Sequence, residues 1–335
     1  MVKVRVTCNK NIIERFGVKK PEGWDFQYIN YPCSDEELAQ QCKDADIVFC
    51  GPVDYFRREV IEQLDNCKLI HSLGVGFDKI DLEAAKEKGI YVCNNRAVNA
   101  VPVAELAVGH MITSLRRMPE ADTKIKAKGV DGFNESFKEY QVKGQSELSS
   151  RVIGLVGLGA IGKAAVKMLK AFGCEIMYYD VFRADEAYEM ENDIKYCIWS
   201  ICTYDEILEK CDIISYHVPV LDSTRNMVRK ETIEKMKQDA IIINVARGEI
   251  VNNEDLAEAL NNGRVFAGLD VIAPEPPSAD HPLFNLTEAG KARLSITPHI
   301  AGTTDDAFIR MSKWSYDDMV KVMNGERPNN VVNGL

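Results

Sequence analysis

The chain has 335 residues, more than one small core holds, so two domains of ~100–200 residues each are expected. Hydrophobic residues make up 46% and charged ones 27%, a balance that argues against a disordered chain. With 41 basic and 51 acidic residues the net charge is −10, so no global basic field invites DNA or RNA.

The amino terminus, MVKVRVTCNK, carries no hydrophobic signal core, and no stretch reaches the ~18 apolar residues of a membrane helix. None of the ten cysteines forms a Cys-x-x-Cys pair. They read as small buried hydrophobes of a reducing cytosol rather than as a disulfide framework or a metal site. A cytoplasmic chain without membrane, nucleic-acid or metal partners is expected.

Along the first hundred residues, short apolar strands alternate with amphipathic helices. Strands are predicted at Val2–Val6, Phe26–Ile29, Ile47–Cys50 and Leu69–His71, helices at Glu36–Cys42, Arg57–Leu64 and Leu82–Lys88. This rhythm implies a parallel sheet covered on both faces. From Pro102 to Arg117 the chain is apolar on nearly every side, which predicts a helix buried between domains or subunits. Residues 119–150 are polar and weakly periodic and read as an excursion, an arm onto a partner subunit.

At Arg151 the rhythm restarts. Strands are predicted at Val152–Val156, Glu175–Tyr179, Asp212–Tyr216, Ala240–Val245, Val265–Val271 and Leu294–Thr297, with a further short one at Cys197–Ile201. Helices at Lys163–Phe172, Glu231–Lys237 and Glu254–Leu260 separate them. Six or seven strands so connected make a second doubly wound α/β domain.

Gly157-Leu158-Gly159-Ala160-Ile161-Gly162 is a G-x-G-x-x-G run that follows a strand and opens a helix, the context a dinucleotide-binding loop needs. The pyrophosphate would sit on free N–H groups at the positive end of the helix. The next strand ends at Asp180, 18 residues beyond Gly162, where a carboxylate accepts hydrogen bonds from the adenosine ribose. A 2′-phosphate there would meet a like charge, costing roughly 1–4 kcal/mol at about 4 Å. NAD is therefore the expected cofactor, with Arg183 as a charge that could soften the preference.

Ligands of doubly wound sheets bind beyond the carboxyl ends of the strands. Arg247, Glu275 and His299 follow three predicted strands and so reach that rim. An arginine fork holds a carboxylate or carbonyl. A histidine protonates a developing alkoxide, and a glutamate partner favours its imidazolium form. Beside a nicotinamide, this trio suits hydride transfer to a 2-oxo acid. His71, His110 and His281 read as structural, and His217 as either structural or in contact with cofactor.

Several of these runs together resemble the D-isomer-specific 2-hydroxyacid dehydrogenase family over essentially the whole chain. They are GVGFDKIDLEAAKEKGI (74–90), VAELAVG (103–109), GLVGLGAIGK (154–163), INVARGEIVN (243–252), AGLDV (267–271) with Glu275-Pro276, and TPHIAGTT (297–304). The resemblance implies a Rossmann NAD-binding domain, 102–299, inserted in a discontinuous flavodoxin-like substrate domain, 1–101 with 300–335. It further implies His299 as general acid/base, Glu275 as its partner and Arg247 as substrate clamp. Backbone N–H groups at Val75 and Gly76 would bind the substrate carboxylate, and Asp270 the nicotinamide amide. Gly157, Gly159, Ala160, Ile161, Gly162, Asp180, Val103, His217, Pro219, Thr224 and Val245 would line the cofactor, and the arm would make a homodimer.

The chain departs from the family pattern at Arg96-Ala97, often Pro-Gly, at Pro274, often acidic, and at Ser149-Ser150, often Gly-Lys. Arg96 reads either as a hinge residue or as a cation that biases the substrate towards a second anionic group. Glu275 argues against formate as substrate, because formate-oxidising relatives carry glutamine there. The other readings are a short-form 3-phosphoglycerate dehydrogenase and an NAD-sensing protein of the corepressor type.

Overall fold

The computed structural model describes residues 1–196 and 204–335, and the chain divides into two units, 1–99 with 303–335 and 100–302. In the first unit, β1 (Lys3–Val6), β2 (Asp25–Tyr28), β3 (Ile47–Cys50), β4 (Leu69–Ser72) and β5 (Tyr91–Cys93) form a parallel sheet in the order β2-β1-β3-β4-β5. Every residue of β3 and β4 is buried, as in strands covered on both faces. The strand order reverses between β1 and β3, which makes the loops beyond those strands a switch point.

The end of the chain belongs to this unit. Asp305–Met323 is a helix whose Ala307, Met311, Tyr316, Met319 and Val322 share a core with Val4, Val6, Phe49 and Leu69. Their near four-residue spacing makes the apolar stripe, and Thr304 caps the first turn by accepting from the Ala307 N–H at 3.2 Å. Farther on, the Val332 N–H donates to the Val92 carbonyl, and the Asn333 side chain bonds both Val92 N–H and the Ile90 carbonyl. The last residues thus occupy the free edge of β5.

In the second unit, β6 (Val152–Val156), β7 (Glu175–Tyr179), β8 (Ile194–Tyr196), β9 (Ile213–Tyr216), β10 (Ala240–Asn244), β11 (Val265–Leu269) and β12 (Leu294–Ile296) are parallel, in the order β12-β11-β10-β9-β6-β7-β8. This is the Rossmann order with one strand added, and its switch point lies between β6 and β9. The strand expected at Cys197–Ile201 lies outside the described residues, although β8 ends just before it. The eight described cysteines are free thiols.

Two segments take more definite form than their sequence showed. The apolar segment is the Ala100–Leu115 helix, and its buried face packs in the core of the second unit. Its Val103, Ala104, Ala107, Val108 and Met111 pack with Leu155, Val166, Ile243 and Phe266. The polar excursion is two helices, Met118–Lys128 and Val130–Lys143. Their apolar periodicity is weak because ion pairs one turn apart, Glu120–Lys124, Asp122–Lys126 and Glu139–Lys143, support them. Helical propensity without a buried stripe is hard to read from hydrophobic spacing.

Candidate active site

The glycine loop leaves β6 at its carboxyl end. Gly157 has φ 97°, and an added Cβ would lie 2.8 Å from the His217 carbonyl oxygen, so a side chain fails there twice. A Cβ on Gly162 would lie 2.4 Å from the Gly157 carbonyl oxygen, which fixes how closely helix and loop pack. Gly159 differs: nothing lies within 4 Å of its Cβ position. Gly159 is also the N-cap of the Ala160–Ala171 helix and supplies no capping side chain. The exposed start of the helix at Gly159 and Ala160 therefore leaves its first N–H groups uncapped at the positive end of the helix. This cradle fits a pyrophosphate.

Asp180 follows β7 and turns back on the loop. Its Oδ2 accepts from the Leu158 N–H at 2.7 Å and its Oδ1 from the Phe182 N–H at 3.1 Å. His217 follows β9 and joins the loop from the other side, with its N–H on the Val156 carbonyl at 2.7 Å. Its Nε2 pairs with Ser215 Oγ at 3.0 Å, while Nδ1 is buried without a partner. Burial pushes this imidazole down from 6.5 to about 4, so the ring is neutral near neutral pH. The glycine loop, Asp180 and His217 are thus gathered at one strand end, with an orphaned polar atom beside the cradle.

The second cluster lies beyond β10, β11 and β12. His299 Nδ1 faces both oxygens of Glu275, at 2.8 and 2.9 Å. Both side chains are exposed, so the pair can reach a ligand. His299 adopts φ 55°, a left-handed conformation that costs a non-glycine residue about 1–2 kcal/mol.

Asp270, buried at 1% exposure, holds the backbone there. Its carbonyl accepts from the His299 N–H at 2.7 Å, and its carboxylate accepts from the N–H groups of Ile300 and Ala301 and from Thr297 Oγ1. Most of the capacity of Asp270 is therefore spent on the His299 loop, a role with no local signal in the sequence. Arg247, exposed beyond β10, donates from Nη1 to the Ala246 carbonyl at 2.8 Å and bonds neither Glu275 nor His299.

His110, on the Ala100–Leu115 helix, extends this network. Thr297 Oγ1 donates to Asp270, so it accepts from His110 Nε2 at 3.1 Å, and His110 Nδ1 accepts from Ser295 Oγ at 3.0 Å. Burial lowers the His110 pKa, against a smaller opposing effect of the Asp270 charge. His110 is structural, but it braces the loop that carries His299.

Val75 and Gly76 lie in the other unit, after β4. The carbonyls of Leu73, Gly74, Val75 and Gly76 accept from Asn95 Nδ2, Asn95 N–H, Asn94 Nδ2 and Ser72 Oγ. Those carbonyls are engaged, whereas the N–H groups of Val75 and Gly76 meet no acceptor among the described residues. Ser72, Asn94 and Asn95 went unnoticed in the sequence, although two adjacent asparagines closing an apolar strand were the available signal.

Among the other expected cofactor residues, Val103 and Val245 are buried in the core of their unit, and Pro219 is exposed. Thr224 Oγ1 donates to the Pro219 carbonyl at 2.6 Å and accepts from the Leu221 N–H, closing the turn after β9. Arg96 is exposed, and Ala97 beside it has φ 63°, which explains why glycine suits that position.

Comparison with known proteins identifies relatives of this chain. The family model of the D-isomer specific 2-hydroxyacid dehydrogenase NAD binding domain matches residues 108–301. A glyoxylate reductase of Thermofilum pendens is 36% identical over 91% of this chain and 86% of its own length. A D-3-phosphoglycerate dehydrogenase of Methanocaldococcus jannaschii is 36% identical over 89% of this chain, which spans only 53% of that relative. The crystal structure of D-lactate dehydrogenase from Aquifex aeolicus with NAD and lactic acid shares 27% identity, with a TM-score of 0.80 and 99% of each chain covered.

The chain belongs to the D-isomer specific 2-hydroxyacid dehydrogenase family. It is an NAD-dependent oxidoreductase of 2-hydroxy acids, built as a Rossmann unit and a flavodoxin-like unit.

Proposed function

We propose that this enzyme reduces a small 2-oxo acid to its D-2-hydroxy acid, with His299 as general acid, Glu275 as its partner and Arg247 as substrate clamp. The observation that carries the reading is the His299–Glu275 contact through Nδ1. A carboxylate on Nδ1 keeps the proton of the neutral ring on that nitrogen, so Nε2 is the atom that gives and takes a proton. NADH, when bound, supplies the hydride to the carbonyl carbon. His299 Nε2–H hands its proton to the carbonyl oxygen as charge grows there, and Glu275 stabilises the imidazolium before transfer. Arg247 keeps the rest of its guanidinium for the substrate, and the Val75 and Gly76 N–H groups take the carboxylate.

The cofactor would be held by Gly157–Gly162, with Asp180 on the ribose and Val103, His217, Pro219, Thr224, Val245 and Asp270 around the rest. The discontinuous unit would serve as the substrate domain. Likeness to relatives named glyoxylate reductase and hydroxypyruvate reductase favours a small acid, glyoxylate or hydroxypyruvate. The phosphoglycerate dehydrogenase likeness keeps 3-phosphoglycerate as a second reading. Initial rates of NADH loss with each acid test the assignment, and no turnover of any 2-oxo acid would refute it.

A homodimer joined by the 118–143 helices also belongs to this reading. Val130, Phe133, Phe137 and Val142 are 56–88% exposed there, with the two phenylalanine rings stacked at 6.4 Å. No described helix is long and apolar enough to cross a membrane. Eight free thiols support a reducing, cytoplasmic setting.

A further inference from the structure

The loop after β7 carries one carboxylate and one guanidinium of opposite meaning for the cofactor. Asp180 rejects a 2′-phosphate, whereas an arginine three residues on is the kind of group that accommodates one. In this chain Arg183 is engaged elsewhere. Its Nε donates to Glu189 Oε1 at 3.0 Å and its Nη2 to Glu189 Oε2 at 2.7 Å, a two-pronged pair, while Nη1 lies 3.4 Å from Glu186. Glu189 is itself held. Its side chain is only 9% exposed, and Tyr178 donates its hydroxyl to Oε1. The same hydroxyl accepts from the Ala184 N–H at 2.9 Å, so strand, loop and the Glu186–Asn192 helix converge on one carboxylate. The Arg183 fork holds the Glu189 carboxyl below its usual range, as a committed ion pair requires.

We infer that Glu189 is a specificity-determining residue, which keeps the enzyme on NAD by withholding Arg183 from the 2′ position of the adenosine ribose. Discrimination then has two layers. Asp180 repels the 2′-phosphate, and Glu189 removes the cation that would offset that repulsion. The inference rests on the ribose lying at Asp180.

The test is the ratio of kcat/KM for NADPH to that for NADH, with one 2-oxo acid held fixed. Asp180→Ala should raise this ratio about tenfold by removing a like charge. Adding Glu189→Gln, which keeps the shape and the Tyr178 contact, should raise it a further ~10-fold or more as Arg183 becomes available. Adding Arg183→Ala to that pair should cancel the second gain. A ratio that Glu189→Gln leaves at the Asp180→Ala value overturns the inference alone.

An Asp180→Ala enzyme with the wild-type ratio overturns the ribose placement and the inference with it. If the Glu189 variant does not fold, Arg183→Ala in the Asp180→Ala background decides. An unchanged ratio is expected, because the arginine is already withheld, and a several-fold fall in NADPH use would overturn the inference.

Discussion

His299 Nδ1 lies within 2.9 Å of both carboxylate oxygens of Glu275, and the histidine that makes this contact sits in the left-handed region of backbone space. The exposed imidazole is thereby oriented twice, through its side-chain partner and through its backbone. Glu275→Gln keeps the size but removes the charge that stabilises imidazolium. It should lower kcat for 2-oxo acid reduction by roughly 10- to 100-fold with little change in NADH affinity. Stopped-flow kinetics with fluorescence titration of NADH would show this, and a loss confined to NADH binding would contradict it.

Asp270 supports the same backbone through four hydrogen bonds. An amide at that position presents a donor to N–H groups that need an acceptor. Asp270→Asn should therefore cost about 2–4 kcal/mol of stability, the scale of buried charged-group bonds left unmade. Urea denaturation at neutral pH measures it. A midpoint equal to that of the parent would mean that the loop is held by other contacts.

Gly159 and Gly162 should separate binding from folding. Gly159→Ala adds a methyl group where nothing lies within 4 Å, at an ordinary negative φ of −71°. The free protein should keep its Tm, while NADH binding weakens by about tenfold or more, because the methyl group occupies the approach of the pyrophosphate. In Gly162→Ala the methyl group meets the Gly157 carbonyl oxygen, so the Tm itself should fall. Paired melts with and without NADH distinguish the two effects.

Most of the strands, though not the three-residue β5, and the glycine loop were legible because each is local: an apolar run with its turn, or a spacing. The braces were not. Asp270 reads as a strand-end acid, and only the folded chain brings Thr297, Ile300 and Ala301 onto it. His110 reads as a polar interruption of an apolar helix, since Ser295 and Thr297 lie some 185 positions away along the chain. Arg183 reads as a charge that could soften the preference for NAD until the Glu186–Asn192 helix, too short for a periodic signal, delivers Glu189. The 118–143 helices escaped for the opposite reason, as ion pairs replace the buried stripe that spacing detects.

His217 gives stability a pH dependence. Its folded pKa of about 4 lies below the ordinary 6.5, so below pH 6.5 the unfolded chain binds a proton that the folded one refuses. Its contribution is intact above pH 6.5 and is lost as the pH falls towards 4. The loss should be about 1–2 kcal/mol by pH 4.5, allowing for a ring that is only half-buried. His217→Gln should flatten that part of the stability profile, and an unchanged profile would contradict the assignment.

The exposed Phe133 and Phe137 bear on assembly. Sedimentation velocity should find a dimer, and Phe133→Glu with Phe137→Glu should shift it towards monomer by placing charge in an apolar contact. A parent protein that sediments as a monomer would remove the arm from this role.

His299 carries the proposed proton transfer. Steady-state NADH oxidation with glyoxylate, hydroxypyruvate and larger 2-oxo acids, by the parent enzyme and by His299→Ala, tests it most directly. The parent should turn over at least one small 2-oxo acid, and the variant should lose ~10²–10⁴ of kcat while binding NADH within about threefold of the parent. A variant that reduces the same acid at the parent rate would contradict the mechanism outright.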